Sequence, residues 1–471
     1  MQRRSFLRAV GSTGVALSLP KSVAASSTAA SLDTGANPET YEPLGRVAVD
    51  GAAEAVVGDG GETAYLATTT GFATVDISDP AEPAVLADRP ALEVDGALFD
   101  EILDVKVDGD RLVVAGPANV PPDDAADDVF HGFVLYDVSD PADPVAVGEP
   151  YETGFHIHNC FLADELLYVV ANDEDENPLV IYDVSDDAIE EIGRWSLLEH
   201  EPEWEELFWL ARYLHDVYVH EEIAYLAHWD AGTYLIDVSD PTEPAYISRV
   251  MNTDLEEQRG LEGEEAQMGL PGNDHYSAVD DTGDLLAVGR EAWATGGDEP
   301  DGPGGIDLYD VSDPAEPEFQ ATIDAPEADD ASYYGEEWTT SHNFELRDDR
   351  LYSSWYQGGV KIHDVSDPTA PEERAHWYDS DVAGFWTARV AEPGETFVAS
   401  STPLIPGSGT EGALYTFPVD PDGETETDEG LLDPIPGFTG VTGAAGLAGG
   451  AVALEWLRRR DGDSRNRQDR S

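Results

Sequence analysis

The hexapeptide VDISDP at residues 75–80 is the stretch that decides the fold, because five variants of it follow along the chain. They are YDVSDP at 136–141, YDVSDD at 182–187, IDVSDP at 236–241, YDVSDP at 309–314 and HDVSDP at 363–368. The first aspartates of successive copies lie 61, 46, 54, 73 and 54 residues apart. That spacing accommodates four short strands with their turns, which is the size of one β-propeller blade.

The fourth repeat divides clearly into strands. Its strand-like segments are residues 215–219, 223–227, 233–238 and 245–250. Between the last two, the Ser and Asp side chains of Ser239-Asp240-Pro241 can bond backbone groups two residues on, and the proline presets a turn. Four strands of about five residues cannot bury both faces of their own sheet, so we expect neighbouring units to stack.

A seventh unit lacks the hexapeptide and has only three strand-like segments, at 386–390, 396–400 and 413–417. Residues 41–49, which precede the first complete unit, resemble the fourth strands of the other units. We therefore predict an all-β fold, a seven-bladed β-propeller of four-stranded blades over residues 41–420. An N-terminal strand completes the last blade and closes the ring, which leaves no exposed sheet edge.

The acidic composition bears on the environment of the protein. The chain has 98 acidic and 24 basic residues, a formal charge of −74, distributed over every repeat. With 41% hydrophobic residues it can still bury a core. Salt screens such self-repulsion, and the composition is similar to that of proteins from extreme halophiles. A charge of this sign excludes nucleic acid as a partner.

The N-terminus resembles a twin-arginine secretion signal. Arg3 and Arg4 precede Phe6 and Leu7, and an uncharged run over 9–20 is followed by the small residues of 22–25. We assign residues 1–25 to this signal and 26–40 to a linker. The resemblance implies export of a folded protein. The single cysteine, Cys160, allows no disulfide within the chain.

The C-terminus resembles the PGF sorting signal of haloarchaeal surface proteins. An acidic linker, 421–435, leads to Pro436-Gly437-Phe438, a run of low polarity up to Leu457, and three arginines. About 19 such residues can just cross a bilayer, and the arginines favour a cytoplasmic end. Residues 436–471 are therefore either a sorting signal that is replaced by a lipid or a retained membrane helix. Both imply an extracellular propeller anchored to the membrane at its C-terminus.

The repeat itself resembles the LVIVD repeat family. The resemblance rests on third-strand segments such as 179–184 and 234–238, each followed by a Ser-Asp turn, and it spans nearly all of residues 41–420. It implies a secreted or surface β-propeller. It does not imply one activity, because propellers carry many functions.

The first strands of the blades suggest where a site could lie. Their starts align as a column of residues near the central channel: Ala53, Leu103, His158, His215, His275, His342 and Trp386. The following column is mostly polar: Glu54, Asp104, Asn159, Asp216, Tyr276, Asn343 and Thr387. The four histidines come from consecutive blades and form a candidate Fe, Cu or Zn site. The alternative is that each histidine bonds the adjacent blade as part of the scaffold.

The long insertions all fall on the face where the first strands begin. They contain many aromatic residues, and a possible pocket wall is Trp204, Trp209, Trp293, Trp338 and Trp386, together with Phe208, Tyr333 and Tyr334. The first hypothesis is a surface-anchored binding module with an unknown protein or small-molecule ligand at this face. The alternatives are an extracellular metalloenzyme, oxygenase- or oxidase-like, that uses the four histidines, and a structural envelope component without a small ligand.

Overall fold

Seven four-stranded antiparallel sheets form the blades of a β-propeller in the computed structural model, which confirms the predicted fold class. The structure describes residues 41–119, 129–172, 176–185, 188–297, 300–335 and 337–420. The predicted signal (1–25), the two linkers and the C-terminal segment (436–471) lie outside the described residues. No helix within these ranges has the length and hydropathy needed to cross a membrane.

Blades one to six take their strands in chain order from the central channel outwards, whereas the outermost strand of blade seven is the N-terminal strand. Blades one to three comprise Ala55–Val57, Thr63–Ala67, Phe72–Asp76 and Ala84–Arg89; Asp104–Asp108, Arg111–Gly116, Gly132–Asp137 and Val145–Glu152; and His156–Ala163, Leu166–Asn172, Leu179–Asp183 and Glu190–Trp195. Blades four to six comprise Asp216–His220, Ile223–Ala227, Thr233–Asp237 and Ala245–Val250; Asp274–Val279, Leu285–Arg290, Ile306–Asp310 and Glu318–Ile323; and Phe344–Arg347, Arg350–Ser354, Val360–Asp364 and Glu372–Trp377. Blade seven contains Phe385–Glu392, Thr396–Ser401, Ala413–Pro418 and the N-terminal strand Gly45–Ala48.

The connecting segments contain short elements that the sequence patterns did not predict. They are the hairpin Glu93–Val94 and Ala97–Leu98, the α-helices Leu197–His200, Leu255–Gln258 and Glu265–Met268, and the 3-10 helices Pro202–Glu206 and Trp209–Arg212. Ser196 caps the first of these helices and Asp254 caps the second, through side-chain oxygens that accept backbone N–H bonds. None exceeds five residues, so they order the loops without changing the all-β architecture.

The hexapeptide builds two successive turns. In blade one, Asp76 Oδ1 accepts the N–H of Ser78 at 3.0 Å, and Asp79 Oδ1 accepts the N–H of Ala81 at 3.1 Å. The Ser78 hydroxyl also donates to Asp76 at 2.6 Å. The two bonds from the Ser78 hydroxyl and the Ser78 N–H hold the pKa of the Asp76 carboxyl below its usual range. The motif therefore recurs because each turn between third and fourth strands needs these acceptors.

The same turn also contacts the preceding blade. The Thr74 hydroxyl of blade one donates to the Pro141 carbonyl of blade two at 2.6 Å. The Ser248 hydroxyl of blade four likewise donates to the Pro314 carbonyl of blade five at 2.5 Å. The proline of the hexapeptide thus offers its carbonyl oxygen to a hydroxyl of the neighbouring blade, so the motif links blades as well as strands.

The hydrophobic core lies between adjacent blades. In one cluster, Val170 and Ile181 of blade three pack with Leu226 and Ile236 of blade four, all fully buried. Another contains Leu66 of blade one and Leu414 of blade seven. The second cluster exists only in a closed ring, because it joins the first and last blades.

The N-terminal strand closes the ring as predicted. Residues Gly45–Ala48 pair antiparallel with Ala413–Pro418, and Gly45 lies opposite Thr416. The Thr416 hydroxyl donates to the Pro80 carbonyl of blade one at 2.5 Å. The last blade, completed by this strand, therefore contacts the hexapeptide turn of the first blade.

Substitution of Gly45 tests this closure. A Cβ at this position would lie 2.5 Å from the Pro80 carbonyl oxygen and 2.6 Å from Pro83 Cδ, so Gly45→Ala should displace the strand and lower the free energy of unfolding by about 1–3 kcal/mol. Gly60→Ala is the matched control, since a Cβ there meets nothing within 4 Å. Denaturant unfolding at constant salt measures both. Equal stability of the two variants would contradict the closing role of this strand.

Candidate functional site

The four predicted histidines lie side by side at the loop-rich end of the central channel. Their ring centroids are 4.1 Å apart between His158 and His215, 4.0 Å between His215 and His275, and 4.4 Å between His275 and His342. His158 and His275 lie within the first strands of their blades, and His215 and His342 lie one and two residues before theirs. The first strands converge on the propeller axis. The ring geometry of the fold therefore brings together residues that are up to 184 positions apart in the sequence (342 − 158).

These histidines belong to a layer that separates two cavities. The layer, here called the histidine layer, consists of the residues that line both cavities: Leu103, His158, His215, His275, His342 and Trp386. The cavity on the side of the loops, the upper cavity, has a volume of about 690 Å³. The cavity on the other side, the axial cavity, has a volume of only about 10 Å³.

Among the described residues, eight aromatic side chains line the wall of the upper cavity. They are Phe208, Trp209, Trp229, Trp293, Tyr333, Trp338, Tyr356 and Trp386. Many of these rings contact each other, such as Trp293 and Trp338 with centroids 4.8 Å apart. Trp229 stacks on His215 at 5.4 Å with an interplanar angle of 25°. The wall is therefore a connected aromatic surface that continues into the histidine layer.

Four of the five predicted wall tryptophans, Trp209, Trp293, Trp338 and Trp386, line this cavity. The fifth, Trp204, does not, and the prediction for it needs correction. Its side chain is buried in the core between blades three and four, where its indole N–H donates to Glu201 at 3.1 Å. Tyr334 also lies outside the cavity lining and is 55% exposed. The short 3-10 helix Pro202–Glu206 turns Trp204 inwards, which residue type alone could not reveal.

Two wall residues that the sequence patterns missed occupy one repeated position. Trp229 and Tyr356 each come two residues after the second strand of their blade, and Thr69 is their equivalent in blade one. All three have positive φ, between 45° and 62°, and bridge to the start of the next blade. Such a conformation is rare for bulky side chains. The glycines that follow in TTTG, HWDAG and WYQGG were the sequence signal for this turn.

Backbone carbonyls orient two of the histidines. His342 Nδ1 lies 2.5 Å from the carbonyl oxygen of Trp386, and His158 Nδ1 lies 3.0 Å from that of Ala118. Because a carbonyl oxygen only accepts, Nδ1 carries a proton in both rings, and a ring that is neutral keeps the lone pair on Nε2. Burial lowers the pKa of His342 to about 4, so its imidazole is neutral at physiological pH.

Glu291 is a further site residue that the sequence patterns missed. It follows the second strand of blade five directly, and its largely buried carboxylate accepts the Tyr356 hydroxyl at 2.5 Å. His275 Nε2 lies 3.9 Å from its other oxygen. Ligand atoms of His215, His275 and Glu291 lie within 4.8 Å of one another. Bonds near 2.1 Å allow ligand atoms about 4.2 Å apart at most, so small shifts of these three side chains would permit a shared metal ion.

The polar column predicted beneath the histidines is buried in the structure. Its members, Glu54, Asp104, Asn159, Asp216, Tyr276, Asn343 and Thr387, are each at most 5% exposed. Arg389 pairs with Glu54 at 2.7 Å, and Lys106 pairs with Asp104. Burial of charge is costly unless it is paired, and two of the three carboxylates here have such a partner.

One solved β-propeller agrees with the fold, and a repeat model matches part of the chain. The LVIVD repeat model matches residues 56–87 and 211–252. No curated protein matches the chain. The crystal structure of the Myceliophteria thermophila Cps50 (Swd1) β-propeller domain is 9% identical, with a TM-score of 0.53, and the alignment covers 80% of this chain and 99% of that one. For the Neurospora crassa Pan2 WD40 domain, the identity is 9%, the TM-score 0.48 and the coverage 82% and 97%. The chain is therefore a seven-bladed β-propeller that contains LVIVD repeats.

Proposed function

We propose that this protein is a binding propeller whose upper cavity holds a small, mainly apolar ligand with a cationic end. The cavity carries this proposal. Its volume of about 690 Å³ is typical of small-molecule sites, which are usually concave, lined by apolar and aromatic side chains, and furnished with a few polar groups that orient the ligand. Here the aromatic wall provides the apolar surface, and the histidine layer with Glu291 provides the polar base.

The charge of the lining favours a cation. The residues that line the cavity within the described ranges include Asp100, Glu101 and Glu291 but no lysine or arginine. Trp and Tyr faces attract ammonium groups by about 0.5–2 kcal/mol each, more when water is excluded. An anionic ligand would meet repulsion from the carboxylates and from the net charge of the chain. An ammonium group attached to an apolar body fits both features of the cavity.

Binding of benzyltrimethylammonium tests this proposal against two probes that share its phenyl ring, neutral benzyl alcohol and anionic benzoate. The ammonium probe should bind most tightly and change the tryptophan fluorescence. Trp338→Ala removes one wall ring and should weaken binding by about 3- to 30-fold. Trp204→Phe is the matched control, because Trp204 lies outside the cavity and its loss should leave the affinity unchanged.

Equal affinity for the three probes would contradict the cationic preference. Loss of binding in the Trp204 variant but not in the Trp338 variant would contradict the assignment of the cavity. A folded protein, verified by circular dichroism at the working salt concentration, is required for each comparison.

A metal-dependent function is the second candidate, favoured by the grouping of His215, His275 and Glu291. Imidazole and carboxylate ligands suit Fe, Cu or Zn. This group differs from the predicted set of four histidines, because it includes Glu291. His158 and His342 lie next to the group, and their Nδ1 atoms face backbone carbonyls. Such carbonyl bonds also occur at metal-binding histidines, so both residues stay candidates for further ligands.

Elemental analysis of protein purified in high salt tests the metal hypothesis. We expect near-stoichiometric Fe, Cu or Zn in the wild type and its loss in His275→Ala and Glu291→Gln. Ligation requires neutral imidazole, so bound metal should decrease as the pH falls below about 6, where free imidazoles protonate. Tyr356→Phe removes the bond to Glu291 but no ligand, and should weaken retention without abolishing it. Metal-free wild type, or equal metal content in all variants, would contradict this function.

We propose further that the propeller acts outside the cell, in a highly saline medium, tethered through its C-terminal segment. The twin-arginine pattern, the PGF tripeptide and the acidic composition support this location. Deletion of residues 434–471 should release the propeller into the medium, measured as protein in cell-free supernatant. The full-length chain, which keeps the segment, is the control. Retention of the truncated protein on the cell would contradict the tether.

A further inference from the structure

The axial cavity lies on the propeller axis, directly beneath the histidine layer. Besides that layer, its wall contains Glu54, Asp104, Asn159, Asp216 and Asn343, from five different blades. Its volume of about 10 Å³ is room for about one particle the size of a water molecule. All five side chains are at least 95% buried, so whatever occupies this cavity is shielded from bulk solvent.

Three oxygen atoms at this cavity are acceptors with no hydrogen-bond donor in the described part of the chain. They are Asp216 Oδ1, Asn159 Oδ1 and Asn343 Oδ1. The assignment of the Asn343 amide is fixed, because its Nδ2 donates to Glu54 at 2.6 Å. Buried polar atoms without a partner are rare in folded proteins and call for a specific cause. Three oxygen acceptors around one small space indicate an occupant with positive charge, such as a cation.

The charges around the cavity have the same implication. Of its three carboxylates, Glu54 pairs with Arg389 and Asp104 pairs with Lys106. Asp216 forms no salt bridge with any described residue, although it is 1% exposed. When all three carboxyl groups are ionised, the cavity lining therefore has one more negative charge than Lys106 and Arg389 together neutralise.

We propose that the axial cavity is an alkali-cation site in which Asp216, Asn159 and Asn343 bind one Na⁺ or K⁺ ion through their side-chain oxygens. Hard cations prefer carboxylate and amide oxygens. One monovalent ion balances the remaining carboxylate, whereas a divalent ion would leave an excess positive charge beside Lys106 and Arg389. The ion would tie together blades three, four and six at the axis, so its role is to stabilise the ring.

Thermal unfolding in matched salts separates this site from general screening. At equal ionic strength, the full chain should melt a few degrees higher in KCl or NaCl than in choline chloride, because choline screens charge but is too large for the cavity. The comparison of KCl with NaCl shows which ion fits. Asp216→Asn should abolish the difference between alkali and choline salts while keeping the response to ionic strength.

Asp240→Asn is the matched control. It removes the same charge from the same blade, in the exposed hexapeptide turn, and should keep the alkali-specific increment. Identical melting of the wild type in alkali and choline salts would overturn the proposal. An increment that persists in Asp216→Asn would overturn it as well.

A direct measurement avoids any dependence on how the variant folds. Crystals of the wild-type protein soaked in RbCl or in a thallium(I) salt should show an anomalous scattering peak within bonding distance of Asp216, Asn159 and Asn343. Density for a water molecule alone, with no anomalous peak, would overturn the site.

Discussion

Each blade of this propeller is buried only by its neighbours, and that constraint governs the rest of the structure. The core clusters join adjacent sheets, and hydroxyls such as that of Thr74 reach the proline carbonyl in the hexapeptide turn of the next blade. An open array would expose one unburied sheet face at each end. The strand Gly45–Ala48 removes both ends by completing blade seven, where Gly45 lies close against the Pro80 carbonyl in the turn of blade one. The ring is therefore the unit of stability.

Closure of the ring also produces the candidate site. Because every first strand begins at the same face, equivalent residues of different blades meet at the axis and form successive layers. Four imidazoles occupy one layer, and paired carboxylates occupy the next. The loops that emerge at this face add the aromatic wall. A rigid floor made by strands and a wall made by loops is the usual construction of a binding site on a propeller.

The sequence was informative wherever the repeat fixed the register. The six hexapeptides marked six blades, and the strand-like segments after the last copy indicated the seventh. Alignment of the first strands placed His158 to His342 and the polar column at the central channel. Other features depend on local backbone geometry that the repeat does not encode. Trp204 faces the core because of a 3-10 turn, whereas Trp229 and Tyr356 reach the cavity through residues with positive φ. Glu291 was missed because it follows a second strand, outside the aligned columns.

The two proposed cation sites are not independent, because one layer of side chains separates them. The interaction energy of two unit charges 4 Å apart is about 4 kcal/mol at an effective dielectric constant of 20. This energy falls in inverse proportion to the distance between the charges. The ionised carboxylate of Asp216 therefore attracts a cationic group bound at the base of the upper cavity as well as an ion in the axial cavity. Once an alkali ion neutralises Asp216, that attraction is lost and the upper cavity must rely on Glu291 and the aromatic faces. By linkage, a cationic ligand above must weaken alkali binding below by the same factor.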